Sequence, residues 1–212
     1  MSTALDLRTS TRFWPGADRL RPLAAFALLL IGGVCFGQSL YLTAKAQLAQ
    51  VLLARAWART QAGELEARPW PWADTHPVAR LLAPDRGIDV YVLAGANGRT
   101  MAFGPGFLEG SARPGTTGNT IFAAHRDTHF AFLQDLRPGE LLILETPDGA
   151  QHRYQVEGHH VRDHRELDLL RPEAQAVLTL ITCYPFDAVV PGGPLRYVVR
   201  ARLTNDHGSL IK

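Results

Sequence analysis

Thr179-Leu180-Ile181-Thr182-Cys183 decides the reading of this chain. It closes an apolar, β-branched run that begins at Ala176, and Pro185 opens a turn just beyond it. A thiol at the end of a buried strand is held rigidly while its sulfur faces a surface groove. Far upstream, His125 stands in Ala123-Ala124-His125-Arg126 and closes another apolar strand; downstream, Arg196 follows Pro194-Leu195. A thiol, an imidazole and a guanidinium together can perform acyl transfer through a thioester. The thiol is the nucleophile, the imidazole moves the proton, and the guanidinium holds the developing oxyanion.

Outward from that stretch the pattern stays strand-like. Val78 to Leu82 is short and apolar, and Ile88 to Leu93 alternates with period two. Asn97-Gly98 reads as a hairpin turn into a strand over Arg99 to Phe103. Gly104-Pro105-Gly106 then opens a Gly/Pro/Thr-rich loop to Gly118; without a lysine or a following helix it is no phosphate loop. Further strands are expected over Thr120 to Ala124, Glu140 to Thr146, Gln151 to Val161, Ala176 to Thr182 and Leu195 to Leu203, with a helical turn or two within Phe130 to Leu136. Many short strands with turn punctuation, such as Pro147-Asp148-Gly149, predict a sandwich or a closed barrel.

Before the strands lies Leu23 to Leu42, one apolar stretch of the length that crosses a bilayer as a helix. Arg8, Arg12, Arg19 and Arg21 precede it, against Asp6 and Asp18, so the N-terminus is expected in the cytoplasm and the remainder exported. Ala44-Lys45-Ala46 has the form of a signal-peptide cleavage site. The apolar run is long for a signal core, however, and the helical pattern continues unbroken through Trp57, so an uncleaved single-pass signal-anchor is the favoured reading. The expected organisation is a basic cytoplasmic tail (1–21), a membrane segment (22–43), a juxtamembrane helix with a Pro/Trp linker (44–77) and a catalytic domain (78–205), with a frayed end from Asn205. Within Arg68-Pro69-Trp70-Pro71-Trp72, the tryptophans are either interface anchors or a strap packed on the domain; the strap is favoured.

The motif, its spacing and its order resemble the sortase family. Thr179 to Cys183 is similar to the family's TLxTC signature, and Asn119 to Phe130 carries the histidine in its usual context. Ala124 departs from the glycine that many relatives place before that histidine. The resemblance spans roughly residues 78 to 203 plus the membrane segment. It implies a mostly β, eight-stranded sortase-type barrel with short helices behind one transmembrane helix. It also implies a cysteine transpeptidase, with Cys183, His125 and Arg196 as catalytic residues and neither cofactor nor metal. The implied substrate is an exported protein bearing a C-terminal LPxTG-like signal, cut after threonine, with the acyl group passed to an amine acceptor of unspecified identity. The Pro/Trp stretch and the His125-to-Phe130 block resemble the Gram-negative subgroup, which implies an inner-membrane enzyme with its domain in the periplasm.

Plainer readings stand beside these. A free cysteine is most often a small buried side chain; if Cys183 is one, the chain is a membrane-tethered binding module. An exported cysteine protease that only hydrolyses shares the first half-reaction. His125 and His129 have the spacing of a helical metal pair, but Arg126 occupies the position that a zinc protease gives to glutamate, and no third ligand is evident. His152, His159, His160 and His164 are expected on solvated surface, and Asp127 as a cap or an ion pair with Arg126. Arg200 and Arg202 share a strand face with Arg196, so only position relative to the cysteine selects Arg196. Cys35 and Cys183 lie in different segments, which disfavours a disulfide. A net charge of +2 is too small to argue for nucleic acid.

Overall fold

The computed structural model describes residues 17–190 and 192–204, with side chains from residue 22 onward. Most of the basic tail and the C-terminal end from 205 lie outside the described residues. The chain divides into two units, residues 1–46 and 47–212. Helix α1 (Ala17–Gln61) runs through that boundary. In the first unit every described side chain is exposed, including Leu23, Phe26, Leu29, Ile31, Phe36 and Tyr41. This helix is a candidate membrane span by length and composition.

In the second unit the helix changes character. Ala49, Leu53, Ala56 and Trp57 recur at helical spacing on one buried stripe. Gln50 Nε2 donates to the carbonyl of Phe103 at 2.9 Å, and Gln61 Nε2 donates to Glu145 Oε1 at 2.5 Å. The Pro/Trp segment then doubles back. Ala67, Ala73 and Thr75 are buried in it, and Trp70 meets Phe103 edge-on at 5.0 Å between ring centroids. Trp70 is therefore strap, whereas Trp72 is 83% exposed.

Eight strands follow: β1 (Pro77–Ala83), β2 (Ile88–Ala94), β3 (Gly106–Phe107), β4 (Gly118–Ala123), β5 (Leu141–Glu145), β6 (Gln151–Asp163), β7 (Ala176–Cys183) and β8 (Leu195–Leu203). They close into a barrel in the order β1-β2-β3-β4-β7-β8-β6-β5. The β2–β3 and β4–β7 pairs are parallel and the others antiparallel. Closure leaves no bare sheet edge. The interior is filled by side chains such as Leu81, Phe122, Leu144, Tyr154, Leu178 and Leu180, all fully buried. The parallel β4–β7 pair requires a long crossover, which β5 and β6 supply.

The barrel and its strand number match the sequence expectation; one strand does not. Arg99 to Phe103 is not a strand after a hairpin turn but contains a 3-10 turn at Thr100–Ala102. Asn97 is the cause. Its side-chain Oδ1 accepts from the backbone N–H groups of both Arg99 and Thr100 at 3.0 Å, which starts a helical turn instead of reversing a strand. The strand expected there is supplied instead by Gly106–Phe107, inside what read as loop. A Cβ on Gly106 would collide with the Gly95 carbonyl, so glycine lets β3 lie this close to the chain leaving β2. Phe130 to Leu136 holds a short 3-10 helix, Ala131–Asp135.

Candidate active site

Strand register assembles the site. Along the parallel β4–β7 pair, Asn119 is opposite Val177, Ile121 opposite Thr179, and Ala123 opposite Ile181. Ala124 N–H donates to Ile181 O at 3.2 Å, carrying the pairing one residue past β4. His125 is the next residue, just past the end of β4, as Cys183 is the last residue of the neighbouring β7. On the other side of β7, Thr179 is opposite Arg200, Ile181 opposite Val198, and Cys183 opposite Arg196. Because side chains alternate along a strand, these residues form successive rungs on one sheet face. The end rung carries Cys183 and Arg196, and His125 follows the end of β4. His125 is exposed and the other two are partly buried.

Both threonines of the signature stretch tie β7 to β4. Thr182 Oγ1 donates to the Ala124 carbonyl at 2.7 Å, just before His125. Thr179 Oγ1 donates to Asn119 Oδ1 at 2.6 Å. Both hydroxyls belong to residues almost wholly removed from solvent, where an unmade hydrogen bond would cost about 1–3 kcal/mol. The strand that ends in Cys183 and the strand that leads to His125 are thereby held in a single register.

The segment after Cys183, residues 184–194, is clasped at two points. Arg196 Nη1 donates to the carbonyls of Gly193 at 2.7 Å and Leu195 at 2.9 Å. Arg126 Nη2 donates to the Ala188 carbonyl at 2.6 Å. Arg126 is thus turned toward that segment and not toward Asp127, which corrects the expected ion pair. Arg126, Asp127 and Gln134 face Tyr184, Phe186 and Asp187 across an open groove of about 460 Å³.

His125 and His129 do not form a helical pair, because residues 126–130 are a turn. Burial pulls the His129 imidazole below its ordinary value; its hydrogen bond with the Ala102 backbone opposes that shift, and nearby His125 adds to it. The β6 histidines are less plainly solvated than expected. His159 stacks on Tyr197 with ring centroids 4.6 Å apart, and burial together with Arg162 and Arg200 lowers the His160 pKa.

Two contributors escaped the sequence reading. Asn119 appeared there only as part of a quoted stretch, and Arg126 only as a cation beside the histidine. Their partners, Thr179, Leu169 and Ala188, are far away in sequence, and nothing local signals them.

A closed eight-stranded barrel whose strand ends bring a thiol level with a guanidinium defines a recognisable class. Residues 81–204 match the sortase domain, and the chain belongs to the sortase family, a family of cysteine transpeptidases. The fold is similar to sortase A from Corynebacterium diphtheriae, with 27% identity and a TM-score of 0.57, covering 63% of each chain. This chain therefore spans less than two thirds of the length of that one. It also resembles the pilus-related sortase C of Group B Streptococcus (24% identity, TM-score 0.53, covering 60% of this chain and 67% of that one). A third likeness is to Clostridium perfringens sortase C, solved with the C-terminal cell wall sorting motif (20% identity, TM-score 0.54, covering 76% and 90%). The last two establish the fold alone. Among curated proteins no match was found.

Proposed function

We propose that this chain is a membrane-anchored cysteine transpeptidase that cleaves an LPxTG-like sorting signal after threonine and joins the acyl fragment to an amine. The observation that carries this reading is the end rung, with Cys183 paired to Arg196 across β7–β8, while His125 follows two residues after the last paired residue of the adjoining strand β4. Cys183 is the nucleophile, His125 the general acid and base, and Arg196 the oxyanion donor. The Cys183 thiolate attacks the threonine carbonyl carbon. The carbonyl oxygen becomes an oxyanion, which accepts hydrogen bonds from the Arg196 guanidinium. As the tetrahedral intermediate collapses, the C–N bond breaks and His125 gives its proton to the departing amine. A thioester remains. An incoming amine loses a proton to His125, attacks the thioester carbon, and the Cys183 thiolate leaves.

The protein substrate is an exported chain with a C-terminal signal. The anchor crosses the inner membrane once with the barrel in the periplasm, and the Pro/Trp strap and histidine block support a Gram-negative subgroup. If water replaces the amine, the same site works as a thiol peptidase. The basic residues ahead of the apolar helix and its continuation into the barrel unit support the uncleaved anchor.

The test uses the full chain in detergent with an LPxTG-type peptide, an amine acceptor and intact-mass spectrometry, with Cys183→Ala alongside. The expected result is a mass gain on Cys183 equal to the fragment ending in threonine, and a joined product when the amine is present. The Cys183→Ala protein should fold as the parent does and give neither. Absence of adduct and cleavage across several signal variants, with an intact fold, would leave a binding module as the surviving reading. Cleavage without joining would leave the hydrolase.

A further inference from the structure

The sheet face that ends in Cys183 is covered over its middle rungs. Starting from the far end, its rungs are Asn119 with Val177 and Arg202, then Ile121 with Thr179 and Arg200, then Ala123 with Ile181 and Val198, and finally the Cys183 rung. Ile121, Ile181 and Val198 form a small apolar cluster separate from the barrel interior. Leu167 and Leu169, from the β6–β7 connection (residues 164–175), pack on this cluster together with Leu108. The connection is therefore a wall standing over the same face as the thiol.

Side-chain bonds hold that wall to the sheet: Arg200 donates to Glu173 at 2.9 Å, Arg202 donates to Gln175 at 2.7 Å, and the bond made by a buried side chain is that of Asn119. Asn119 is 8% exposed, and both halves of its amide are used. Its Oδ1 accepts from Thr179 Oγ1 at 2.6 Å, and its Nδ2 donates to the backbone carbonyl of Leu169 at 3.0 Å. A single amide thus joins β4, β7 and the connection. Asn119 lies three rungs from Cys183, on the order of 20 Å along the strand at 3.3 Å per residue, so it has no route to the reacting atoms.

We propose that Asn119 is a positioning residue that fixes the β6–β7 connection over the Ile121–Ile181–Val198 face and so sets the groove through which a peptide reaches Cys183. This rests on the transpeptidase reading above for the identity of the peptide, but not for the placement of the wall. An extended signal with its threonine carbonyl at Cys183 directs its apolar residues along the sheet, where the Ala123–Ile181–Val198 rung lies next to Leu167 and Leu169. With the wall released, the peptide loses its apolar seat while the Cys183 rung is untouched.

Asn119→Asp separates the two bonds. The carboxylate still accepts from Thr179 but has no N–H for the Leu169 carbonyl. Leu169→Ala reaches the same wall from its other side and alters a partly exposed residue outside the barrel interior, so it guards against a failure of the first variant to fold. Steady-state cleavage of an LPxTG-type peptide by the full chain in detergent is expected to show KM raised about three- to tenfold in each variant, with kcat within about twofold of the parent. Hydrogen exchange is expected to quicken in 164–175 while 118–123 and 176–183 stay protected. Unchanged KM with unchanged exchange would overturn the proposal. So would a joint loss of kcat and of protection in β4 and β7, because Asn119 would then serve the sheet alone. If the parent cleaves no peptide, the transpeptidase reading has failed, and exchange in 164–175 of Asn119→Asp still decides: quickening supports the wall, and no change overturns it.

Discussion

Strand β7 presents two faces that are both dry but do different work. Inward, Leu178 and Leu180 are fully buried among Phe122, Tyr154 and Val199, and the polar residue that β7 itself contributes to that side is Thr182, which bonds the Ala124 carbonyl. Outward, Ile181 lies under Leu167 and Leu169 of the β6–β7 connection, and Cys183, the final residue of the row, is only partly buried. The inner face closes the barrel; the outer face ends in chemistry. A strand covered on both sides reads as a continuous apolar run, which explains why Ala176 to Cys183 shows no alternation. A reactive group at the end of such a strand takes its position from the whole barrel, so its neighbours can change with little effect on where it sits.

Substitutions can test that division. The largest effect is expected at the outer face. Arg196→Ala should lower kcat/KM for the signal peptide by about 10²- to 10³-fold, as loss of an oxyanion donor does, while the thermal midpoint stays close to that of the parent. A large fall in the midpoint would make Arg196 a structural residue of the 184–194 segment, through its bonds to Gly193 and Leu195. Next is the inner face. Leu180→Ala should cost about 2–5 kcal/mol of stability through the cavity it leaves, lowering the midpoint by about 5–15 °C, with activity per folded molecule retained at low temperature. If activity is lost without loss of stability, the two faces are not independent.

The smallest effect concerns pH. Burial holds the imidazoles of His129 and His160 below their ordinary values in the folded chain. The unfolded chain therefore binds protons more readily as pH falls. This part of the stability is present above the ordinary imidazole range, near pH about 6.5, and is lost as pH drops through the lower folded values. Thermal melts between about pH 7 and pH 5 should show the midpoint falling with acid, and His129→Gln should flatten part of that slope. A slope that His129→Gln leaves intact would place the acid sensitivity elsewhere.

Legibility differed sharply along the chain. β7, β8 and the strand before His125 were readable because long apolar or alternating runs ended in turn residues, and local pattern is all that such strands need. Residues 97–107 misled. Asn97-Gly98 is a hairpin signal only when both flanking segments pair with each other, and here β2 pairs in parallel with a two-residue strand too short to show a period. The tryptophans of the strap could not be told apart in sequence either. Trp70 found Phe103 and Trp72 found no cover, a difference fixed by which way the doubled-back chain turns.

The sequence by itself determined that one thiol closes a buried strand, that a histidine closes another, that a basic tail precedes an apolar helix, and that the rest folds as many short strands. Each of those follows from side-chain type and spacing within a few residues. Only the tertiary structure decided that β4 and β7 lie parallel, with Ala123 opposite Ile181, so that the strand leading to His125 and the strand ending in Cys183 are neighbours. It alone decided that Arg196, rather than Arg200 or Arg202, pairs with that cysteine. It also decided that the Asn119 amide bonds both Leu169 and Thr179, 50 and 60 residues further along the chain. Register between strands that are far apart along the chain is set by barrel closure and by the burial of both faces at once, and neither is a local property.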